Sequence, residues 1–337
     1  MIIIKILFIR PSKSSFIQKD LKLLQKNFDV KVIDFNPSIT PKIIIAFFNM
    51  IIGIFWADLT FSWFADTHAF LAVRFSKLFK KKSIVIVGGY DVANLPNIKY
   101  GLLSNERKVK IVKNLLKNAD LILPVDQGLE KNLIEIGIDE EKIKVIPTGY
   151  DFKKYKNEDT KEDIVITVSV GETCNRVKLK GLDTFVKSAK FLPEIKFILI
   201  GLSGKALIKL KEIASSNVNF IEPLPQEKLI PYYQKSKCYC QLSMREGLPN
   251  ALCEAMLCEC IPVGTEVQGV TTAMGKTGFY VDYDDVENTV KAISKALKSD
   301  EGKSARKRIM KKFPLSQRET ELLKTIETLE GVIIGKI

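Results

Sequence analysis

The sequence predicts an α/β protein made of two Rossmann-like domains, each a doubly wound parallel sheet. Three observations predict it. Short β-branched runs alternate with segments of helical period along almost the whole chain, and regular βαβα order produces parallel sheets. The alternation breaks once, at a polar and charged stretch, and then restarts. A length of 337 residues suits two domains better than one.

The first domain is expected over 1–152. Residues 2–9 form an apolar run, interrupted at Lys5, of the kind that is buried on both faces of a parallel sheet. Residues 10–15 connect it to a helix over 20–27. A second strand covers 30–35, and Pro41 opens an apolar helix through residue 55. Strands at 59–64 and 83–87 bracket a helix over 67–79. Helices at 105–118 and 126–136 then alternate with strands at 121–124 and 143–146. Ligands of such sheets bind beyond the carboxyl ends of the strands. That rule selects 10–15, 63–68, 88–91 and 124–126.

Residues 153–163 (KKYKNEDTKED) carry no apolar period and read as the interdomain linker. The second domain, 164–315, opens on a buried strand over 164–170 that ends at Gly171. A loop over 172–180 leads to a helix starting near Gly181. Further strands are expected at 196–200, 218–221, 238–242, 261–264 and 279–283, with helices that include 226–234 and 286–297. A basic helix over 303–312 (KSARKRIMKK) precedes a last helix over 317–329.

Composition narrows the partners. Lys and Arg number 52 against 39 Asp and Glu, a net charge of +13, which favours anionic ligands or surfaces. Nucleic acid is not expected, because the aromatics fall in strands and core helices and do not interleave with a basic stripe. The six cysteines lack the two-residue spacing of zinc pairs and read as small buried residues of a reducing compartment, with no metal. No secretory signal is evident. The most apolar run, 43–57, is shorter than the ~20 residues that span a bilayer. It is expected as a core helix, with peripheral membrane contact as the alternative.

The chemistry concentrates in 243–264. Gly247 lets the backbone approach a ligand, and Pro249 suits the first helical position. A helix N-terminus binds phosphate through free amides and its dipole. Glu254 stands roughly 7.5 Å along the helix from Pro249, and Glu246 sits across the turn. Ionised carboxylates accept hydroxyl hydrogen bonds, so the pair suits a polyol joined to a diphosphate, as in a nucleotide sugar.

The stretch EGLPNALCEAM followed by CIPV resembles the retaining GT-B glycosyltransferases of family 4, strongly over about 163–283 and more loosely before. The resemblance implies GT-B architecture with an interdomain cleft and a last helix, 316–337, crossing back to the first domain. It implies that Glu246 approaches the donor sugar, that Gly247, Leu248, Pro249 and Asn250 hold the diphosphate, and that Glu254 binds ribose. Lys180, in KGLD, and Arg176 would grip the diphosphate beside Gly171, with Lys178 the alternative to Arg176. Glu222 falls where the nucleotide base lies. Asp91 would be catalytic, although family members often carry a His-Asp or Gly-x-Asp pair where this chain has Tyr90-Asp91. Arg10, Ser12, His68, Gly89 and Tyr90 would form the acceptor side. Thr148 stands where the family usually has Asn, and Glu259 where it usually has Gly.

The implied reaction is a cytoplasmic, metal-independent and cofactor-free transfer in glycan biosynthesis. A hexosyl group moves, with retention, from a UDP-, GDP- or ADP-linked sugar to a glycan, lipid-linked or small-molecule acceptor, with peripheral contact with the inner face of the membrane as the alternative location. A GT-B epimerase or phosphorylase, a basic nucleic-acid binder and a non-catalytic remnant are the rival readings.

Overall fold

The computed structural model describes residues 3–35 and 40–331. The chain divides into two compact units, Met1–Thr148 with Ser316–Ile337, and Gly149–Leu315.

The first unit runs β1 (Lys5–Arg10), α1 (Ser15–Gln25), β2 (Asp29–Asp34), α2 (Thr40–Trp56), β3 (Leu59–Trp63), α3 (Thr67–Leu78), β4 (Lys82–Val87), α4 (Glu106–Asn118), β5 (Leu121–Pro124) and α5 (Gln127–Glu135). Its five strands are all parallel, in the order β2-β1-β3-β4-β5. β3 is buried along its whole length, as expected of a strand covered on both faces. Asn105 caps α4 by accepting from the Arg107 and Lys108 amides, and Asp126 caps α5 by accepting from Gly128. Two expectations need correction. α1 starts at Ser15, five residues before the predicted Asp20, because Ile17 belongs with Leu21 and Leu24 to its buried stripe. Residues 143–146 are not a full strand. They join β5 through one bridge, Ile122 to Ile143, before Pro147, which has no N–H to donate.

The second unit runs β6 (Glu162–Gly171), α6 (Cys174–Lys180), α7 (Leu182–Ala189), β7 (Lys196–Leu202), α8 (Gly204–Ile213), β8 (Val218–Ile221), α9 (Gln226–Lys235), β9 (Ser236–Gln241), α10 (Asn250–Leu257), β10 (Ile261–Thr265), α11 (Val270–Met274), β11 (Phe279–Val281), α12 (Val286–Lys298) and α13 (Gly302–Lys312). Six parallel strands lie in the order β11-β10-β9-β6-β7-β8. Cys238 and Cys240 are buried in its core with Phe185 and Phe197, and all six cysteines are free thiols.

Residues 153–163, expected as a linker, group with the second unit. Tyr155 is fully buried, Arg306 donates to the Phe152 and Tyr155 carbonyls, and the Lys161 ammonium donates to the Tyr233 and Ser236 carbonyls at 2.8 and 2.9 Å. A final helix, α14 (Leu315–Glu330), joins the first unit through Arg318. This side chain is 2% exposed; it pairs with Asp20 and donates to the Ile146 and Pro147 carbonyls.

α10 ends in a Schellman turn. The Cys260 amide donates to the Ala255 carbonyl and the Glu259 amide to that of Met256, both at 3.0 Å, with Glu259 at φ +65°. A side chain in left-handed backbone costs on the order of 1 kcal/mol, partly offset by the freedom glycine adds to the unfolded chain. Glu259→Gly is therefore expected to stabilise by up to ~1 kcal/mol in a urea titration; a destabilised variant would show that the Glu259 side chain contributes more than its strain costs.

Candidate active site

Strand order locates the site. In the second unit the chain proceeds from β6 outward to β7 and β8, then returns to the other side of β6 with β9. The crevice at such a switch point, beyond the carboxyl ends of β6 and β9, is where open α/β sheets bind ligands. It is bordered by Gly171, at the end of β6, and by the residues that follow Gln241.

The 172–180 segment, expected as a loop, is mostly helical. Thr173 accepts from the Arg176 amide and starts α6, which ends on Gly181 in left-handed conformation at φ +58°. A β-carbon at Gly181 would overlap the Leu242 carbonyl oxygen, so glycine lets the α6–α7 corner sit directly on the end of β9. The Met244 amide donates to the Leu179 carbonyl at 2.8 Å and ties the two segments together.

That packing brings Lys180 to Glu246. The two form an ion pair with side chains only 14% and 11% exposed. The same carboxylate oxygen, Oε1, also accepts from Gln241 Nε2 at 2.8 Å and Ser243 Oγ at 2.6 Å. Gln241 and Ser243 were missed from sequence. The available signal was two polar residues, two apart and so on one face, at the end of the otherwise apolar run CYCQLS. Burial pushes the Lys180 ammonium below its ordinary pKa; Glu246 opposes that shift, and Arg176 adds to it.

Arg176 lies one helical turn from Lys180. Its stem crosses Gly171, where a β-carbon would meet it, and its Nε donates to Ser169 Oγ at 3.1 Å. The Lys178 side chain is exposed, and its carbonyl accepts from Tyr283 Oη at 2.7 Å. Arg176 is half-buried against the end of β6, and Lys178 is exposed.

Gly247, Leu248 and Pro249 are buried, and Asn250 Oδ1 accepts from Tyr150 Oη at 2.9 Å. Pro249 is the N-cap of α10 and not its first residue, and it supplies no side-chain cap. The first-turn amides therefore lack the usual competitor for an anion. Glu254 is 3% exposed and accepts from Gln226 Nε2. Burial first, then the Glu254 charge, pushes up the Tyr155 and Tyr233 phenols. Buried Tyr239 lies under the fields of both Glu246 and Glu254. Glu222 is exposed just after β8.

In the first unit the switch point lies between β1 and β3. Arg10 ends β1, is 7% exposed and pairs with Asp34; Ser12 and Ser14 hydroxyls lie 2.9 Å apart on the surface. Asp91 and His68 both lie inside the unit. The Asp91 carboxylate is fully buried and accepts from the Gly89, Gly88 and Ala65 amides at 2.7, 3.2 and 3.2 Å, which holds the turn. Burial raises its pKa, and those amides oppose the rise. His68 is 4% exposed, its Nε2 lies 2.7 Å from the Trp63 carbonyl oxygen, and burial lowers its pKa. It is a core side chain. Tyr90 is 43% exposed and meets Tyr100 edge-on at 5.2 Å, beside buried Gly89. Among the described residues, no three His, Cys, Asp or Glu side chains cluster as metal ligands do.

The sequence profile of the glycosyl transferases group 1 family matches residues 151–313. An uncharacterised glycosyltransferase of Methanocaldococcus jannaschii is 24% identical over 286 residues, covering 78% of this chain and 73% of its own. A D-inositol 3-phosphate glycosyltransferase of Corynebacterium urealyticum is 27% identical over 57% of this chain and 52% of its own. Anabaena HepE, solved with UDP and glucose, superposes with a TM-score of 0.79 at 15% identity, over 96% of this chain and all of that one. Sucrose-phosphate synthase of Thermosynechococcus elongatus gives 0.79 at 16% identity, over 97% and 99%. The two parallel-sheet units agree with a GT-B architecture, and the glycosyl transferases group 1 profile falls on the second of them.

Proposed function

We propose that the chain is a retaining glycosyltransferase of family 4 that moves a hexosyl group from a nucleotide diphosphate sugar to a glycan or lipid-linked acceptor. The observation that carries this reading is the convergence of Lys180, Gln241 and Ser243 on one oxygen of Glu246, immediately before the uncapped N-terminus of α10. The group 1 match covers this whole region. A carboxylate held on one oxygen keeps the other for a sugar hydroxyl. As the glycosidic bond to the donor breaks, negative charge grows on the departing diphosphate. Arg176, Lys180 and the amides at 247–250 supply the countercharge. These groups do the work a divalent metal would otherwise do, so turnover is expected to survive EDTA; a rate restored only by Mg²⁺ or Mn²⁺ would overturn the metal-independent reading. Glu254 takes the ribose hydroxyls in exchange for Gln226. Arg10, Ser12 and Tyr90 are assigned to the acceptor side, and the reaction to the cytoplasmic side of the cell.

UDP heads the list of donors, since it is the nucleotide bound by HepE. A thermal-shift series with UDP, GDP, ADP and their sugar conjugates tests the reading. Ligand at 100 times its Kd adds about 2.7 kcal/mol. One nucleotide should raise Tm in the wild type and fail to do so in Glu254→Gln. Silence across the series in folded protein would favour a non-catalytic remnant.

A further inference from the structure

We propose that the outer face of α2 is a docking surface for a bilayer containing anionic lipids. From Ile43 to Ala57 the helix has no ionisable residue. Its inner side packs into the core of the first unit through Met50 and Ile54, both fully buried. Its outer side is just as apolar. Ile44, Ile45, Phe48, Ile52 and Phe55 are 57, 60, 59, 67 and 60% exposed. At 100° per residue these five positions fall on one continuous stripe about 100° wide. A helix apolar all round is ordinarily buried on every side, and an exposed stripe of this kind marks an interaction surface. Single exposed apolar residues need no explanation, but five in one stripe do.

Charge selects the occupant. At the C-terminal end of the helix the Lys31 and Lys5 ammonium groups lie 4.0 and 5.8 Å from the Trp56 ring. The Phe55 ring meets that of Phe79 at a tilt, with centroids 4.0 Å apart, and Lys80, Lys81 and Lys82 follow directly. Against these five lysines stand four acidic groups at this end: Asp29, across from Lys5 on β2, Asp58, which accepts from the Lys5 amide, Asp120, paired with Lys82, and Glu330. An apolar stripe with a cationic margin is how a helix lies in the headgroup region, its aromatics at the acyl boundary and its lysines on anionic phosphates. The stripe does not span: among the described residues no helix is long and apolar enough to cross a membrane. A second copy of the chain would bring the same lysines against each other.

The test is co-sedimentation of the full chain with phosphatidylcholine vesicles, with and without phosphatidylglycerol, comparing wild type with Phe48→Gln/Ile52→Gln. Both positions face solvent, so the variant should melt like the wild type. The wild type should pellet with the anionic vesicles and the variant should partition at least about tenfold less, the loss expected from removing two apolar anchors. Brominated lipid should also quench Trp56, and not Trp63, which is 1% exposed. A wild type left in the supernatant with both vesicles, or a variant that pellets equally, would overturn the proposal. So would a dimer abolished by the same substitutions in a chain that ignores vesicles. Ile44→Gln/Ile45→Gln gives the same readout if the first variant misfolds. The nucleotide-induced thermal shift does not involve this face, so failure here and failure of the transferase reading are separately visible.

Discussion

Lys180→Met is expected to lower the transfer rate by about 10²–10³-fold, the usual cost of removing one preorganised group aimed at developing negative charge. The same change leaves Glu246 with its two neutral donors and no cation, in a site where its side chain is 11% exposed. That should cost about 3 kcal/mol at most, because breaking a buried pair strands the other charge. Lys180→Met/Glu246→Gln should recover most of that stability and none of the activity. A Lys180→Met enzyme within a few fold of wild type would remove Lys180 from the mechanism. The pH profile gives a second readout. Burial holds the Lys180 pKa below the ordinary 10.5, so between its folded value and 10.5 the unfolded chain binds the extra proton. The destabilisation from burying this charge is present below the folded pKa and relieved as pH rises through it. Activity moves the opposite way: kcat/KM should fall on an alkaline limb below pH 10.5 as the cation is lost. Lys180→Arg should move that limb upward, since a guanidinium stays charged.

Arg318→Ala should be the most destabilising single substitution in the first unit, at ~3–5 kcal/mol. Arg318 and Asp20 side chains are 2% and 1% exposed, and their guanidinium and carboxylate meet through two hydrogen bonds of 2.6 Å. Without Arg318, Asp20 keeps, among the described residues, the Trp63 indole N–H at 3.0 Å, and the Ile146 and Pro147 carbonyls lose this donor. A loss of that size corresponds to a Tm drop of roughly 6–20 °C for a unit of this size. Because Trp63 touches the pair, its fluorescence in a urea titration follows the unit directly. Asp20→Ala/Arg318→Ala should cost less than the sum of the two single changes. A loss below about 1 kcal/mol for Arg318→Ala would mean that water or a rearranged carbonyl replaces the guanidinium.

Neither Asp20 nor Arg318 was legible as a partner. Each occupies a core-facing position of an amphipathic helix, with Ile17, Leu21 and Leu24 in α1 and with Leu322, Thr325 and Ile326 in α14. A charge at such a position hints at a buried partner, but 298 residues separate the two in the chain. Asp91 and His68 show the reverse case. Both follow strand ends, where ligand-facing groups are expected, and both turn inward to backbone groups that only the folded turn provides. The 172–180 segment was misread because a short helix with lysines at 178 and 180 has too few apolar residues to show a period.

The sequence by itself determined that parallel α/β layers would form, where most strands lie, and which residues, Glu246, Glu254 and Lys180, are proposed to carry the chemistry. Those properties depend on neighbours a few residues apart. Tertiary structure alone decided the strand order that sets β6 beside β9, and with it the meeting of Lys180, Gln241 and Ser243 on one carboxylate oxygen. It also decided which face of α2 stays bare. Convergence of that kind follows from long-range packing, where burial of apolar area selects one arrangement among many that local pattern allows equally.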